Sequence, residues 1–417
     1  MLAVVTLTQV SASFATQGLG ALTGAMHDAF RLSTLSVGLM VTAVGLAPVF
    51  SLFVVGHLVD RHGERWVLAS GALIMTAGLA ATTLSPNYSI VLICLFVAGI
   101  GYSTVQPGGS KSISSWFPSR QRGVAMGVRQ AGLPIGGTLA AAALPPVAHA
   151  FGWQAAFAVT AAVALAGGVV FTLTYRPSPD HNEPPLASST PSQLLYGLAR
   201  ILRQAWMRPI LWSGIPLVGA QFGITAYLML FVRDHFHRPL SEGAILLTVL
   251  QIGGVIGRIV LAAWSDRPRL SRLAAVRISM ACSALLLAPL PVLPTRTAFG
   301  VLIAITAVLG FFVIGWYGPW VAHVADAAPS NSVGRATGGA MAANQVAIIA
   351  APPLLGLVHD TSGTYLTVWW ILAAIIAACA LKTGSGSADA KRRSPKKTRL
   401  PSASTSPKPT TSTTKQD

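Results

Sequence analysis

Gly56-His57-Leu58-Val59-Asp60-Arg61-His62-Gly63-Glu64-Arg65 is a charged, glycine-marked turn held between two long apolar runs. A weaker copy follows 206 positions later, at Ala262-Ala263-Trp264-Ser265-Asp266-Arg267. Two equivalent charged turns in an apolar polypeptide imply a unit used twice. Other pairs support the repeat. Pro145-Pro146 is answered by Pro352-Pro353, 207 positions on, and Gly152-Trp153 by Gly363-Thr364-Tyr365.

The runs flanking these turns are long enough to cross a bilayer, which takes roughly 20 apolar residues. Twelve candidates lie at about 2–24, 35–57, 66–84, 89–110, 123–146, 153–174, 209–232, 242–264, 273–293, 298–322, 336–358 and 365–381. The first has no basic region ahead of it and is too long for a cleaved signal peptide. Composition agrees with lipid as the solvent. Hydrophobic residues make up 53% of the 417 and charged residues 10%, against about 25% charged in soluble domains. The expectation is an all-α membrane protein of twelve transmembrane helices in two six-helix pseudo-symmetric bundles.

The net charge of +17 is a topology signal rather than a nucleic-acid one. With both termini placed in the cytoplasm, the inner loops and span ends carry fourteen basic residues, among them Arg61, Arg65, Lys111, Arg120, Arg122, Arg267 and Arg335. The outer side carries four: Arg31, Arg233, Arg238 and Arg296. That asymmetry is the positive-inside pattern, here of a cell (inner) membrane. Four segments follow: 1–175, a six-helix bundle; 176–208, a cytoplasmic linker with an amphipathic helix near 194–203; 209–381, a second bundle; and 382–417, a basic tail of disordered composition.

Cys94, Cys282 and Cys379 lie in apolar runs and read as small core or lipid-facing residues. The sequence holds no Gly-rich phosphate loop, no His/Cys metal cluster and no Ser-His-Asp set. No enzyme, cofactor or metal is expected.

The loop 56–65 resembles the G-x-L-x-D-R-x-G-R-R signature of the major facilitator superfamily. Gly56, Leu58, Asp60, Arg61, Gly63 and Arg65 match, and Glu64 stands where that family has a basic residue. The resemblance covers about 1–381 and implies a secondary transporter working by alternating access. Gly56, Asp60, Arg61, Gly63, Arg65, Asp266 and Arg267 would then form the gating motif. Trp116-Phe117-Pro118-Ser119-Arg120-Gln121-Arg122-Gly123 and Gly257-Arg258 are similar to the monocarboxylate and organic-anion side of the superfamily. The lysine of the oxalate type is replaced by Asn344-Gln345, and Leu133 breaks the Gly-Pro pair of the drug antiporters.

Ionisable residues inside spans are costly and functional. All twelve acids fall in loops, tails or span ends. The charges inside spans are instead Arg129 and Arg258, roughly 10 Å and 12 Å below the cytoplasmic ends of their helices by helix rise. The resemblance implies that spans five and eight meet between the halves, so both guanidinium groups would face one cavity. Guanidinium binds carboxylate through two parallel hydrogen bonds. The substrate site is therefore expected at Arg129 and Arg258, lined by Gln106, Tyr227, Gln251, Tyr317 and Asn344. The expected cargo is a small organic anion, carried by a monomer with or without protons and with no nucleic-acid partner. Export of drugs or other apolar compounds by proton antiport is the alternative.

Overall fold

The computed structural model describes residues 1–117, 119–176, 200–266, 271–329 and 333–393. Those residues are helical almost throughout: α1 Leu2–Phe30, α2 Thr34–His62, α3 Glu64–Thr82, α4 Tyr88–Tyr102, α5 Val105–Trp116, α6 Ser119–Phe151, α7 Trp153–Thr174, α8 Arg208–Phe236, α9 Leu240–Ser265, α10 Arg272–Leu287, α11 Phe299–Val313, α12 Tyr317–Ala327, α13 Val333–Ser362 and α14 Tyr365–Arg393. In lipid, helices satisfy every backbone group within the segment, which is why apolar runs this long adopt no other form.

Among the described residues, eleven helical stretches are long and apolar enough to cross a membrane. They correspond to spans two to twelve of the sequence reading. The first expected span, α1, is 29 residues long but is not among the eleven. Thr8, Gln9, Ser11, Ser13 and Gln17 dilute its hydropathy, and all are buried. Two of its hydroxyls bond within the helix: Thr8 donates to Val4 O at 2.9 Å and Ser11 to Thr8 O at 3.0 Å.

The turns repeat. Arg31 ends α1 at φ 51° and His237 ends α8 at φ 52°. These left-handed residues lie 206 positions apart. Gly63, Gly152 and Gly363 follow α2, α6 and α13 with φ of 77°, 87° and 67°, a region that only glycine enters without strain. Gly63 therefore has a backbone reason to be glycine within the 56–65 motif.

One segment end differs from the expectation. Helix α14 runs to Arg393, twelve residues past the expected end at 381. An established helix extends one hydrogen bond per residue, and Ala388, Ala390 and Lys391 are compatible with that. Residues 394–417 lie outside the described set, as does most of the expected amphipathic helix, of which only 200–203 are described.

Candidate functional site

Two spans are broken near mid-length. Helix α4 ends at Tyr102 and α5 starts at Val105, while α11 ends at Val313 and α12 starts at Tyr317. Pro107 and Pro319 stand third in the second helix of each pair. Proline lacks an N–H and its ring crowds the carbonyl four residues back, which here belongs to Ser103 and Gly315, inside the breaks. The neighbouring backbones come very close. A Cβ on Gly257 would lie 2.1 Å from Phe311 O, and one on Gly315 would lie 2.7 Å from Gly257 C.

The arginines sit at these breaks. Arg129, on α6, is 1% exposed. It donates to Val105 O at 2.8 Å, Gln106 Oε1 at 3.0 Å, Gln106 O at 3.4 Å, Gln9 Oε1 at 3.0 Å and Ser110 Oγ at 3.3 Å. Its Nε has no partner. Gly109 leaves room for the guanidinium, because a Cβ there would lie 2.5 Å from Arg129 Nε. Arg258, on α9, is 8% exposed. Its Nε donates to Ile314 O at 3.3 Å and its Nη1 to Gln130 O at 2.9 Å. Its guanidinium carbon lies 5.0 Å from the centroid of the Tyr317 ring. Nη2 has no hydrogen bond among the described residues. No carboxylate lies within ion-pair distance of either arginine there. Burying an ion without a counter-charge costs several kcal/mol, so the neutral carbonyls and amides around each head carry its solvation.

Gln130 joins the two arginines. Its carbonyl takes Arg258, and its side-chain Nε2 donates to the Tyr317 hydroxyl at 3.4 Å. It follows Arg129 in the chain. Thus Arg129, Arg258, Gln106 and Tyr317 are brought together, with Gln9, Ser110 and Gln130 completing the set. Sequence reasoning passed over Ser110 and Gln130. Residue type gave no sign of Gln130, because its bond to Arg258 uses the main-chain carbonyl.

The other expected lining residues are placed differently. Gln251 is buried against Gly137, where a Cβ would lie 2.2 Å from its Nε2. Asn344 is 4% exposed, and neither amide atom has a partner. It lies with the Trp320 ring against Gly214, and Trp320 contacts Tyr317 with centroids 5.9 Å apart. Tyr227 is remote from this chemistry. Its hydroxyl lies 3.0 Å from Thr34 O and 2.6 Å from Pro352 O.

Tyr227 belongs to a seam between residues before 176 and those after 200. Asp360 accepts from Thr34 N at 2.9 Å and Leu35 N at 2.8 Å, capping the start of α2. Thr34 Oγ1 lies 2.9 Å from His359 Nδ1. Thr42 donates to Ile349 O at 2.6 Å and Gln345 to Gly45 O at 2.8 Å. Arg233 pairs with Asp28 at 2.7 Å. These links lie on the side of the Arg31 and His237 turns. At the opposite ends, the described bonds stay within one half. Arg65 donates to Thr172 O at 2.9 Å, Glu64 accepts from Tyr175 at 3.0 Å, and Arg272 bridges Asp266 at 3.4 Å and Asp326 at 3.0 Å.

The 56–65 motif is thus partly visible. Arg61 is exposed, and Arg65 also stacks on Trp66 at 5.5 Å. Glu64 opens α3, where a helix N-terminus favours an acid. Burial, then the Glu64 carboxylate, raise the Tyr175 phenol above its usual range. Gly56 and Asp60 are helical within α2, their surroundings lying outside the described set, as does Arg267.

Among the described residues, eleven bilayer-length apolar helical stretches and a buried cationic centre are the build of a multi-pass membrane protein. A family model described as Major Facilitator Superfamily matches residues 5–338, and the chain belongs to that family. It is 28% identical over 342 residues to an uncharacterized MFS-type transporter of Mycobacterium tuberculosis (strain CDC 1551 / Oshkosh), covering 80% of this chain and 72% of that one. A probable sulfoacetate transporter of Cupriavidus necator is 22% identical, with 85% and 86% covered. A hexuronate transporter of Bacillus subtilis is 23% identical, with 82% and 83% covered. The solved structure of a bacterial homolog of the human lysosomal transporter Spinster, inward-facing and occupied, superposes with a TM-score of 0.73 at 13% identity, covering 93% and 96%. That likeness concerns the fold alone.

Proposed function

We propose that the protein carries a small organic anion, a carboxylate, across the cell membrane by alternating access. The observation that carries this reading is the pair of buried guanidinium groups with no acidic partner among the described residues. A carrier whose cargo brings the negative charge needs no resident acid. Arg258 is the principal ligand, because its Nη2 is open and Tyr317 backs its face. Arg129 contributes positive potential, with its Nη1 and Nη2 donors engaged. Gln106, Gln251 and Asn344 complete the lining, and Tyr227 serves the seam. The sulfoacetate and hexuronate relatives support an anion of this class.

In this reading α1 is the first of twelve spans, arranged as two six-helix halves, 1–175 and 209–381, joined by the linker 176–208. The protein acts as a monomer with both termini cytoplasmic, and the motif 56–65 with Asp266 and Arg267 controls the inner gate. The cross-half seam supports a conformation whose outer side is closed. Proton symport and anion exchange both fit, since the proton can travel on the cargo.

Proteoliposome uptake of radiolabelled sulfoacetate, glucuronate, succinate and benzoate, with and without a pH gradient, tests this. Uptake of at least one that is lost in Arg258→Ala is the expected result. Unchanged anion flux in both Arg258→Ala and Arg129→Ala removes the site.

A further inference from the structure

Arg129 and Arg258 share an arrangement that substrate binding alone does not explain. Each lies on the helix packed beside a proline-broken span, and each grips one edge of the break. Arg129 holds Val105 and Gln106, the first two residues after the α4–α5 break. Arg258 holds Ile314, the first residue after α11. Pro107 and Pro319 occupy the same position in α5 and α12. A break in lipid survives only where neighbours re-satisfy the freed backbone, and the guanidinium fork supplies several donors from one side chain.

The two grips differ in strength. Arg129 makes five bonds, two of them at 3.0 Å to amide oxygens and one at 2.8 Å to a carbonyl. Arg258 holds its break through one bond of 3.3 Å from Nε. Nε and Nη2 form the side edge of the fork, two parallel N–H groups that match a carboxylate. Nη2 is open, so a carboxylate seated on that edge displaces only the Ile314 carbonyl. The remaining bond, from Nη1, runs to Gln130 in the other half, and the α12 residue Tyr317 holds the Gln130 side chain.

We propose that the two arginines brace matched proline hinges, and that cargo opens only the second: a carboxylate on the Nε–Nη2 edge of Arg258 releases Ile314 and frees α12 to swing, while Arg129 remains a positioning residue that holds α5. The cargo step rests on the function proposed above; the bracing does not.

Two spin-label pairs separate these claims in the purified protein, with Cys94, Cys282 and Cys379 first replaced. Labels at Ile93 and Ser115 span the first hinge, and labels at Val308 and Ala325 span the second. Without any anion, Arg129→Gln broadens the first distance distribution alone and Arg258→Gln the second alone. Unchanged distributions in both variants overturn the bracing. The carboxylates of the uptake panel are then added in turn. A transported one broadens the second pair and leaves the first unchanged; movement of neither, or of both equally, overturns release by cargo. Kinetics give an independent reading. Arg129→Gln lowers turnover about tenfold or more with KM within about twofold, whereas Arg258→Lys, which keeps charge without the fork, raises KM about tenfold. A raised KM with normal turnover in Arg129→Gln makes Arg129 a ligand and overturns its positioning role. If no carboxylate is carried, the anion reading falls, and the anion-free distances still decide the bracing.

Discussion

Removing the Asp360 carboxylate should unlock the seam at the end of the molecule that carries the Arg31 and His237 turns. In the described conformation its two oxygens take the Thr34 and Leu35 N–H groups at 2.9 and 2.8 Å, capping α2 from α13. Hydrogen bonds to a charged group are worth about 1.5–3 kcal/mol each. The Asp360 side chain is 26% exposed, so water recovers a share of that on opening. Halving the sum leaves about 1.5–3 kcal/mol favouring the closed seam, or a closed-to-open ratio about 10- to 140-fold larger, at 1.4 kcal/mol per factor of ten. Asp360→Ala loses all of it. Asp360→Asn keeps one neutral acceptor and loses about half. The assay is alkylation of Val41→Cys, a buried position on α2, by a membrane-impermeant maleimide added outside, in a background lacking the three native cysteines. Labelling should rise in the order parent, Asn variant, Ala variant. Equal labelling rates in all three would refute the claim that this carboxylate holds the halves together.

Four further outcomes follow from the geometry. Gly257→Ala should lower the unfolding temperature markedly, because its methyl would meet Phe311 O at 2.1 Å, while Gly300→Ala, which meets nothing within 4 Å, should not; equal melting curves would count against the α9–α11 contact. Asn344→Leu should stabilise the empty protein by about 1 kcal/mol by removing two unsatisfied buried polar atoms, read as a rise in thermal midpoint with uptake reduced if Asn344 lines the path. Tyr317→Leu should weaken cargo binding severalfold through loss of the ring over Arg258, with Tyr317→Phe close to the parent in KM. Gly63→Ala should destabilise by about 1 kcal/mol, because a side chain is strained at φ 77°, whereas Gly127→Ala, which meets nothing within 4 Å, should be neutral.

Much of the architecture was legible because lipid imposes length and charge rules on the chain. The runs 35–57, 153–174 and 242–264 reappear as α2, α7 and α9 with ends shifted by a few residues. The repeat inferred from Gly56 and Ala262 returns as the Arg31 and His237 turns. The pairing of each proline break with an arginine was not legible. That pairing depends on which helix packs beside which, and hydropathy carries no such information. Arg129 and Arg258 stood out because charge inside a span is rare. Their partners did not, since Val105, Ile314 and Gln130 are gripped by main-chain oxygens. Tyr227 was misplaced for a related reason. A tyrosine inside a span has no sequence mark that tells a seam from a binding wall. The tail beyond 381 looked unstructured by composition, and its first twelve residues continue α14.

Four of the described links between the halves end on peptide carbonyls. Tyr227 reaches Thr34 O, Thr42 reaches Ile349 O, Gln345 reaches Gly45 O, and Arg258 reaches Gln130 O. Every amino acid offers that acceptor, so the receiving helix is free to drift in sequence while the donor stays fixed. Paired substitutions would be scarce at these contacts, and methods that infer proximity from correlated change among homologues would be nearly blind to them. Mutational scans should show the same lopsidedness, with intolerant donors facing neighbours whose identity hardly matters.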